Sequence, residues 1–160
     1  MQQFCLGSIE SQYQSALDAG TAIDSVLKSR GLKLHILGHS LGGGIASYVA
    51  LATNNTCTTI NAVGLSKFTL WNSDNQFKLI NSYYLSGDLL SWAEGQSIAF
   101  SWLMPNAIGN RIQIAPPFLP LTGNSTMSQM YNTPGILSWR VEMHFMDSVL
   151  QTIDYHKGKK

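Results

Sequence analysis

Ser40 stands in the string Gly38-His39-Ser40-Leu41-Gly42, a G-x-S-x-G pattern. Before it, Leu32 to Leu37 form a short apolar run bounded by glycine on both sides, which predicts a buried strand. After it, residues 41 to 53 read as a tightly packed helix with small residues at its start. A serine on a sharp strand-to-helix turn is held in a strained backbone conformation, with its Oγ clear of the sheet. The first turn of the helix offers unpaired N–H groups and the positive end of a dipole. That is the setting of an acyl-transfer nucleophile, with the Leu41 N–H placed to donate to a tetrahedral oxyanion. Gly38 and Gly42 are expected because a Cβ at either place would clash in so sharp a turn. The bland alternative is a serine that merely packs in a turn; the strand and helix flanks speak against it.

A serine nucleophile needs a base, and the base needs an acid to orient it. Where this elbow occurs in α/β-hydrolases, the chain order is serine, acid, histidine. His144 and His156 lie downstream. His156 falls in the basic carboxyl-terminal tail, expected to be frayed, whereas His144 is expected to open the last helix just after a loop. His35, within the strand, and His39, in the elbow, precede any acid and are expected to be structural. For the acid, Asp88 directly follows the strand predicted over 79–85, the strand-end position where loops carry catalytic groups. Asp74, Glu94 and Asp147 are its rivals, Asp147 the weaker because it shares a helix face with His144.

The elements that must position these groups follow from periodicity. Ile9, Tyr13, Ala16, Leu17, Ile23, Val26 and Leu27 recur at spacings of three and four, predicting an amphipathic helix over 8–29 that ends at Gly31. Cys57 to Val63 and Leu79 to Leu85 read as strands, and Arg111 to Ile114 as a shorter one. Residues 116 to 135, rich in proline, glycine and asparagine, read as loop. Val141, Phe145, Val149 and Ile153 recur every four residues and predict a final helix over about 142–155. Strands alternating with helices favour an α/β fold with a mostly parallel sheet and flanking helices.

The 160 residues fit one domain, and neither repeats nor a linker break the chain. Ten basic against nine acidic residues give a net charge of +1, which argues against a nucleic-acid partner. Charged residues make up 12%, against roughly 25% in ordinary domains, so the surface is largely neutral. Cys5 and Cys57 have neither disulfide-framework nor metal-type spacing, and Cys57 is expected to be a small buried residue. No apolar stretch reaches the length of a membrane span. The first residues lack the basic and apolar regions of a signal peptide, leaving cytoplasmic residence or export without a cleaved signal both open.

Beyond the elbow, Gly38 to Ser47 resembles the G-H-S-L-G-G signature of class 3 lipases. Thr58-Thr-Ile-Asn-Ala-Val-Gly-Leu65 is similar to a strand of bacterial phospholipase A1 proteins in that superfamily. Tyr84 to Ser91 resembles their aspartate segment, Ile108 to Ile112 the strand that follows it, and His144 to Leu150 their histidine segment. The likeness covers roughly residues 30–155. It implies an α/β-hydrolase fold, hydrolysis of carboxyl esters of lipids without metal or cofactor, and Ser40, Asp88 and His144 as the triad. A lipid or phospholipid substrate and contact with a membrane surface go with it. The apolar runs Leu89-Leu90-Ser91-Trp92 and Ile98 to Met104 suit an acyl pocket or plain packing, and Lys67 and Lys78 stand too far apart to define a phosphate site.

In one respect the sequence departs from that family. Strands expected before the nucleophile strand are lacking, because only a helix precedes residue 32. The reading is therefore one domain, residues 1–160: a leading helix over 1–30, a catalytic region over 31–155, together the carboxyl-terminal part of the fold. The missing half would hold a second oxyanion donor, whose loss costs about 10²- to 10³-fold in rate. Gly42 or a loop at residues 1–7 stands in for it if the sheet is minimal; otherwise a preceding segment, a partner chain or a second copy covers the open edge. The same triad also suits a general esterase or an acyltransferase, and a catalytically incomplete fragment would keep the elbow for packing alone.

Overall fold

A computed structural model describes residues 2–65, 77–88, 106–117 and 136–158. Helix α1 (Gln2–Ser29) leads into β1 (His35–His39), α2 (Leu41–Thr53) and β2 (Thr56–Ile60). A 3-10 turn (Phe77–Leu79) precedes β3 (Ile80–Leu85); β4 (Asn110–Ile114), α3 (Ile136–His144) and α4 (Met146–Lys157) complete the described elements. The four strands form one parallel sheet in the order β1-β2-β3-β4. The α/β class and the parallel sheet expected from the sequence are found.

Helices cover both faces of the sheet. Cys57 and Ile80, paired in register, pack with Ala46, Ala50, Leu51 and Leu65 and with Tyr13 of α1. Side chains alternate along a strand, so Ile60 and Leu85 point the other way, into a second cluster with Met143, Val149 and Trp139 of α3 and α4. Ile80, Leu85 and Val149 have no exposed surface, and each side chain of this kind contributes about 1.5–3 kcal/mol on burial. Cys57 is fully buried as expected, and that burial pushes its thiol up to about 11 despite a bond from Ser47. Thr59 and Ser82, buried and paired across β2 and β3, share a bond in which the Thr59 hydroxyl donates to Ser82 Oγ at 3.0 Å, and the Ser82 hydroxyl donates onward to Ile108 O.

Helix α1 ends where expected. Leu32 N–H reaches back to Leu27 O and Gly31 N–H to Lys28 O, with Gly31 in the left-handed conformation, a Schellman closure. Its packed face differs from the prediction. Tyr13 meets Tyr48 edge-on at 5.5 Å and a Cβ on Gly20 would overlap Val49, but Ile23 and Val26 are half exposed. The buried residue of that stretch is Asp24, which Lys28 bonds at 2.6 Å and Asn55 at 2.8 Å. A stripe chosen by apolarity alone misses a helix face whose closest neighbour is a buried amide. The side chains of Cys5 and Ile9 lie outside the described residues.

Three further boundaries move. The predicted strand over 32–37 begins only at His35, because Leu32 is spent closing α1, and it runs through Gly38 into His39. The strand predicted over 57–63 stops at Ile60 because Asn61 turns to φ +43°. The predicted final helix is two helices broken at Phe145, which is extended (φ −74°, ψ 151°) and 56% exposed. The four-residue repeat of Val141, Phe145, Val149 and Ile153 straddles this break. Residues 118–135 of the expected loop, and the runs at 89–92 and 98–104, lie outside the described residues, as does Lys67.

The Asp24 cluster has a testable pH signature. The hydrogen bond from Lys28, then that from Asn55, holds the Asp24 carboxyl below its usual range, outweighing desolvation. A carboxyl whose folded pKa is depressed stabilises the fold above its unfolded value, near 3.9, and loses that contribution as pH falls through the lower folded value. Asp24→Asn should therefore be less stable than the parent at neutral pH. Urea melts taken from pH 6 down to pH 2 should show the difference shrinking only in the acid range.

Candidate active site

The carboxyl ends of β1, β2 and β3 converge on one group of side chains. Ser40 follows β1 directly and has φ 55° and ψ −126°, a conformation that costs a non-glycine residue about 1–3 kcal/mol and persists only when over-determined by its surroundings. Here it is so held. Ser40 N–H donates to Ile60 O at 3.1 Å, and its carbonyl accepts from Gly43, Gly44 and Val63 N–H. Among the described residues, the N–H groups of Leu41 and Gly42 have no hydrogen-bond partner. They open α2 beside the serine, which leaves two donors at the positive end of the helix.

Close approach explains the glycines, with one correction. A Cβ on Gly38 would lie 2.2 Å from Gly42 O and 2.7 Å from Ala46 Cβ, so β1 and α2 can meet at the elbow only over hydrogen. Gly42, expected to be required for the same reason, has open space around the position of a Cβ. The crowded positions are instead Gly43, against Ala62, and Gly44, against Tyr13 and Val63. Gly38→Ala should lower stability by about 1–3 kcal/mol through overpacking, while Gly42→Ala changes it by much less. Parallel chemical denaturation curves of the two variants check this.

His144 Nε2 lies 2.8 Å from Ser40 Oγ, and its Nδ1 lies 2.7 Å from Asp88 Oδ1. Asp88 is wholly buried. It follows β3 through a tight turn in which Asp88 N–H donates to Leu85 O, Ser86 N–H to Ile114 O, and Arg140 to the Gly87 carbonyl at 3.1 Å. Gly87 has φ +94°, and the Trp139 ring fills the place a Cβ would take. The structure thus brings together the three residues singled out as a triad. It corrects the setting of His144, which closes α3 instead of opening the last helix. The helix stops there because its final carbonyls, lacking intrahelical partners, are taken by side chains from the sheet: Met143 O and His144 O accept from Asn61, and His144 O also accepts from His39.

The other candidates separate cleanly. His156 belongs to α4, and its ring bonds Ala115 O at 2.8 Å, so it is a helical residue and not part of a frayed tail. His35 bridges the hydroxyls of Thr56 and Thr58 on the neighbouring strand. Asp147 is exposed in the first turn of α4. Asp74 and Glu94 lie outside the described residues. The segment over 2–7, entertained as an oxyanion loop, is helical. Sequence reasoning missed Asn61, Gly87, Trp139 and Arg140; only the glycine before a strand-end aspartate carried a local signal.

A sequence profile for phospholipase-like proteins, the Tle-like phospholipase domain, matches residues 1–141. The chain belongs to this family. The match takes in Ser40 and Asp88 and ends before His144. The chain is also 31% identical over 147 residues to an extracellular phospholipase A1 of Serratia liquefaciens, an alignment covering 86% of this chain and 40% of that relative. The resemblance to bacterial phospholipase A1 read in the sequence is borne out. The chain spans well under half the length of this relative. Among the described residues, no helix is long and apolar enough to cross a membrane.

Proposed function

We propose that this chain is the catalytic part of a lipid carboxyl-ester hydrolase of the α/β-hydrolase type, acting through an acyl-enzyme on Ser40. The observation that carries the reading is the continuous line of hydrogen bonds from Ser40 Oγ through His144 to the buried Asp88. Ser40 Oγ bonds to the acyl carbonyl carbon while His144 Nε2 takes its proton. The tetrahedral oxyanion is met by the Leu41 N–H, with that of Gly42 free beside it. Collapse breaks the ester bond, and the leaving alcohol takes the proton from His144. Water then attacks the acyl-serine with His144 again as base; as the acyl–serine bond breaks, His144 returns that proton to Ser40 Oγ and the fatty acid leaves. Asp88 holds the imidazole with Nε2 facing the serine and stabilises the imidazolium. Family membership and the phospholipase A1 relative support a phospholipid as substrate. On mixed-chain phosphatidylcholine in micelles, the sn-1 fatty acid should be released; cleavage of short soluble esters alone would refute the phospholipid assignment.

The outer edge of β1 favours a second reading, in which turnover needs a further segment or chain beside that strand. β1 has a strand partner on one side only among the described residues. Leu37 at its centre is 68% exposed, and an open cavity of about 400 Å³ lined by Ile23, Ile36, Leu37 and Ile45 runs along it. Labelling of this chain alone with a fluorophosphonate probe separates the two.

A further inference from the structure

The nucleophile and the base come from segments far apart in the chain, yet both are referred to the same few residues at the end of β2. On one side, Ile60 O accepts from Ser40 N–H and Val63 N–H donates to Ser40 O. On the other, the Asn61 amide nitrogen donates to Met143 O at 2.9 Å and to His144 O at 3.3 Å. Its amide oxygen accepts from Leu85 N–H at 3.0 Å, and its backbone N–H donates to Tyr83 O at 2.9 Å. Asn61 is 1% exposed, so each of these bonds replaces one that water would make. The amide orientation follows from its partners, since the oxygen faces an N–H and the nitrogen faces two carbonyls. The left-handed backbone at Asn61, φ +43°, is one that asparagine adopts more readily than most residues. The second lone pair of His144 O is filled by His39 Nε2, at 2.8 Å.

We infer that Asn61, assisted by His39, is the positioning residue of the site: it fixes the main chain of His144 against the strand ends that fix Ser40. The inference rests on the triad reading above. Neither side chain touches substrate; each acts through His144. The ring of His144 has two hydrogen-bond partners of its own, Asp88 and Ser40, and the His39 ring lies against it at 5.2 Å, but these set only its rotation. Its distance from Ser40 is set by where α3 stops, and α3 stops at the carbonyls that Asn61 and His39 hold. Without the amide, the end of α3 is free to move relative to the elbow, and displacements near 1 Å cost about 10²-fold in rate.

The test is kinetic, on a soluble short-chain p-nitrophenyl ester, with rates normalised to the folded fraction seen by circular dichroism. Asn61→Ala should lower kcat about 10²-fold with KM changed by less than about threefold, since ground-state binding is not touched. Asn61→Asp keeps the shape but turns an oxygen toward two carbonyls, and it should not rescue. At His39 the chemistry can be divided: His39→Phe keeps a ring and removes the donor, lowering kcat about tenfold, whereas His39→Gln restores an N–H at similar reach and should recover activity to within about threefold of the parent. Should Asn61→Ala fail to fold, the Phe and Gln pair decides. Folded Asn61→Ala with parental kcat overturns the inference, as does equal activity of His39→Phe and His39→Gln. Ser40→Ala is run beside them: if it stays active, the triad reading fails, an outcome distinct from failure of the positioning role.

Discussion

Ser40→Ala should lower ester turnover by about 10⁵- to 10⁶-fold, leaving a residue of about 10³- to 10⁴-fold over water from the oxyanion donors and binding. The loss is large because, among the described residues at the strand ends, no other nucleophile stands in the place of Oγ. His144 Nε2 points at this one hydroxyl, 2.8 Å away, and Cys57, the free thiol of the described core, is buried with its pKa near 11. The variant should fold at least as well as the parent. Alanine removes a hydroxyl but keeps the positive φ, so the backbone strain remains and the thermal midpoint should move little. Steady-state rates on phosphatidylcholine and on a soluble ester, read beside the melting curve, test both halves of the statement. A substrate-independent loss is expected, because the removed group acts in the chemical step and not in lipid binding.

Asp88→Asn should cost about 10⁴-fold in kcat at neutral pH. The reason is a proton placed on the wrong nitrogen. With a carboxylate at 2.7 Å, Nδ1 must carry the hydrogen and Nε2 is left free to accept from Ser40. An asparagine in the same buried place can turn its amide N–H toward Nδ1; the hydrogen then sits on Nε2, which can no longer act as the base. Because Asn fills nearly the same volume and Arg140 still reaches the Gly87 carbonyl, the fold should survive and the damage should fall on kcat. Asp147→Asn, on the exposed side of α4, should retain activity. Asp74→Asn and Glu94→Gln serve as the remaining controls. Full turnover in Asp88→Asn with loss in either of these would move the acid elsewhere.

The parts of the site that a sequence can display are those whose requirements are local. The elbow is one: a strand, a glycine that lets α2 come close, a serine and a helix start are consecutive, and their chemistry is legible before any contact is known. Asp88 was legible for a similar reason, since a strand end followed by Gly-Asp places a carboxylate at the rim of a parallel sheet. His144 could be chosen by chain order but not placed. The break at Phe145 carries neither glycine nor proline, and what ends α3 is a pair of side chains, Asn61 and His39, that reach it from distant strands. Gly42 shows the opposite error. It looked necessary because it completes the motif, yet open space surrounds it, and the steric demand falls one and two residues later, where Ala62, Tyr13 and Val63 press on α2. Apolar periodicity found the four described strands and helices α1, α2 and α4, but it merged the end of α3 into the last helix and misjudged which face of α1 is packed, because Asp24 and Asn55 take a place that the pattern reserves for apolar residues.

The most direct measurement is covalent labelling of the purified chain, by itself, with a fluorophosphonate probe, read by intact mass and by peptide mapping. The hydrogen-bonded line from Asp88 to Ser40 requires a single adduct on Ser40, lost in Ser40→Ala and much slowed in Asp88→Asn. A folded chain that takes up no probe, or takes it up equally in Ser40→Ala, would contradict a serine nucleophile activated within this chain.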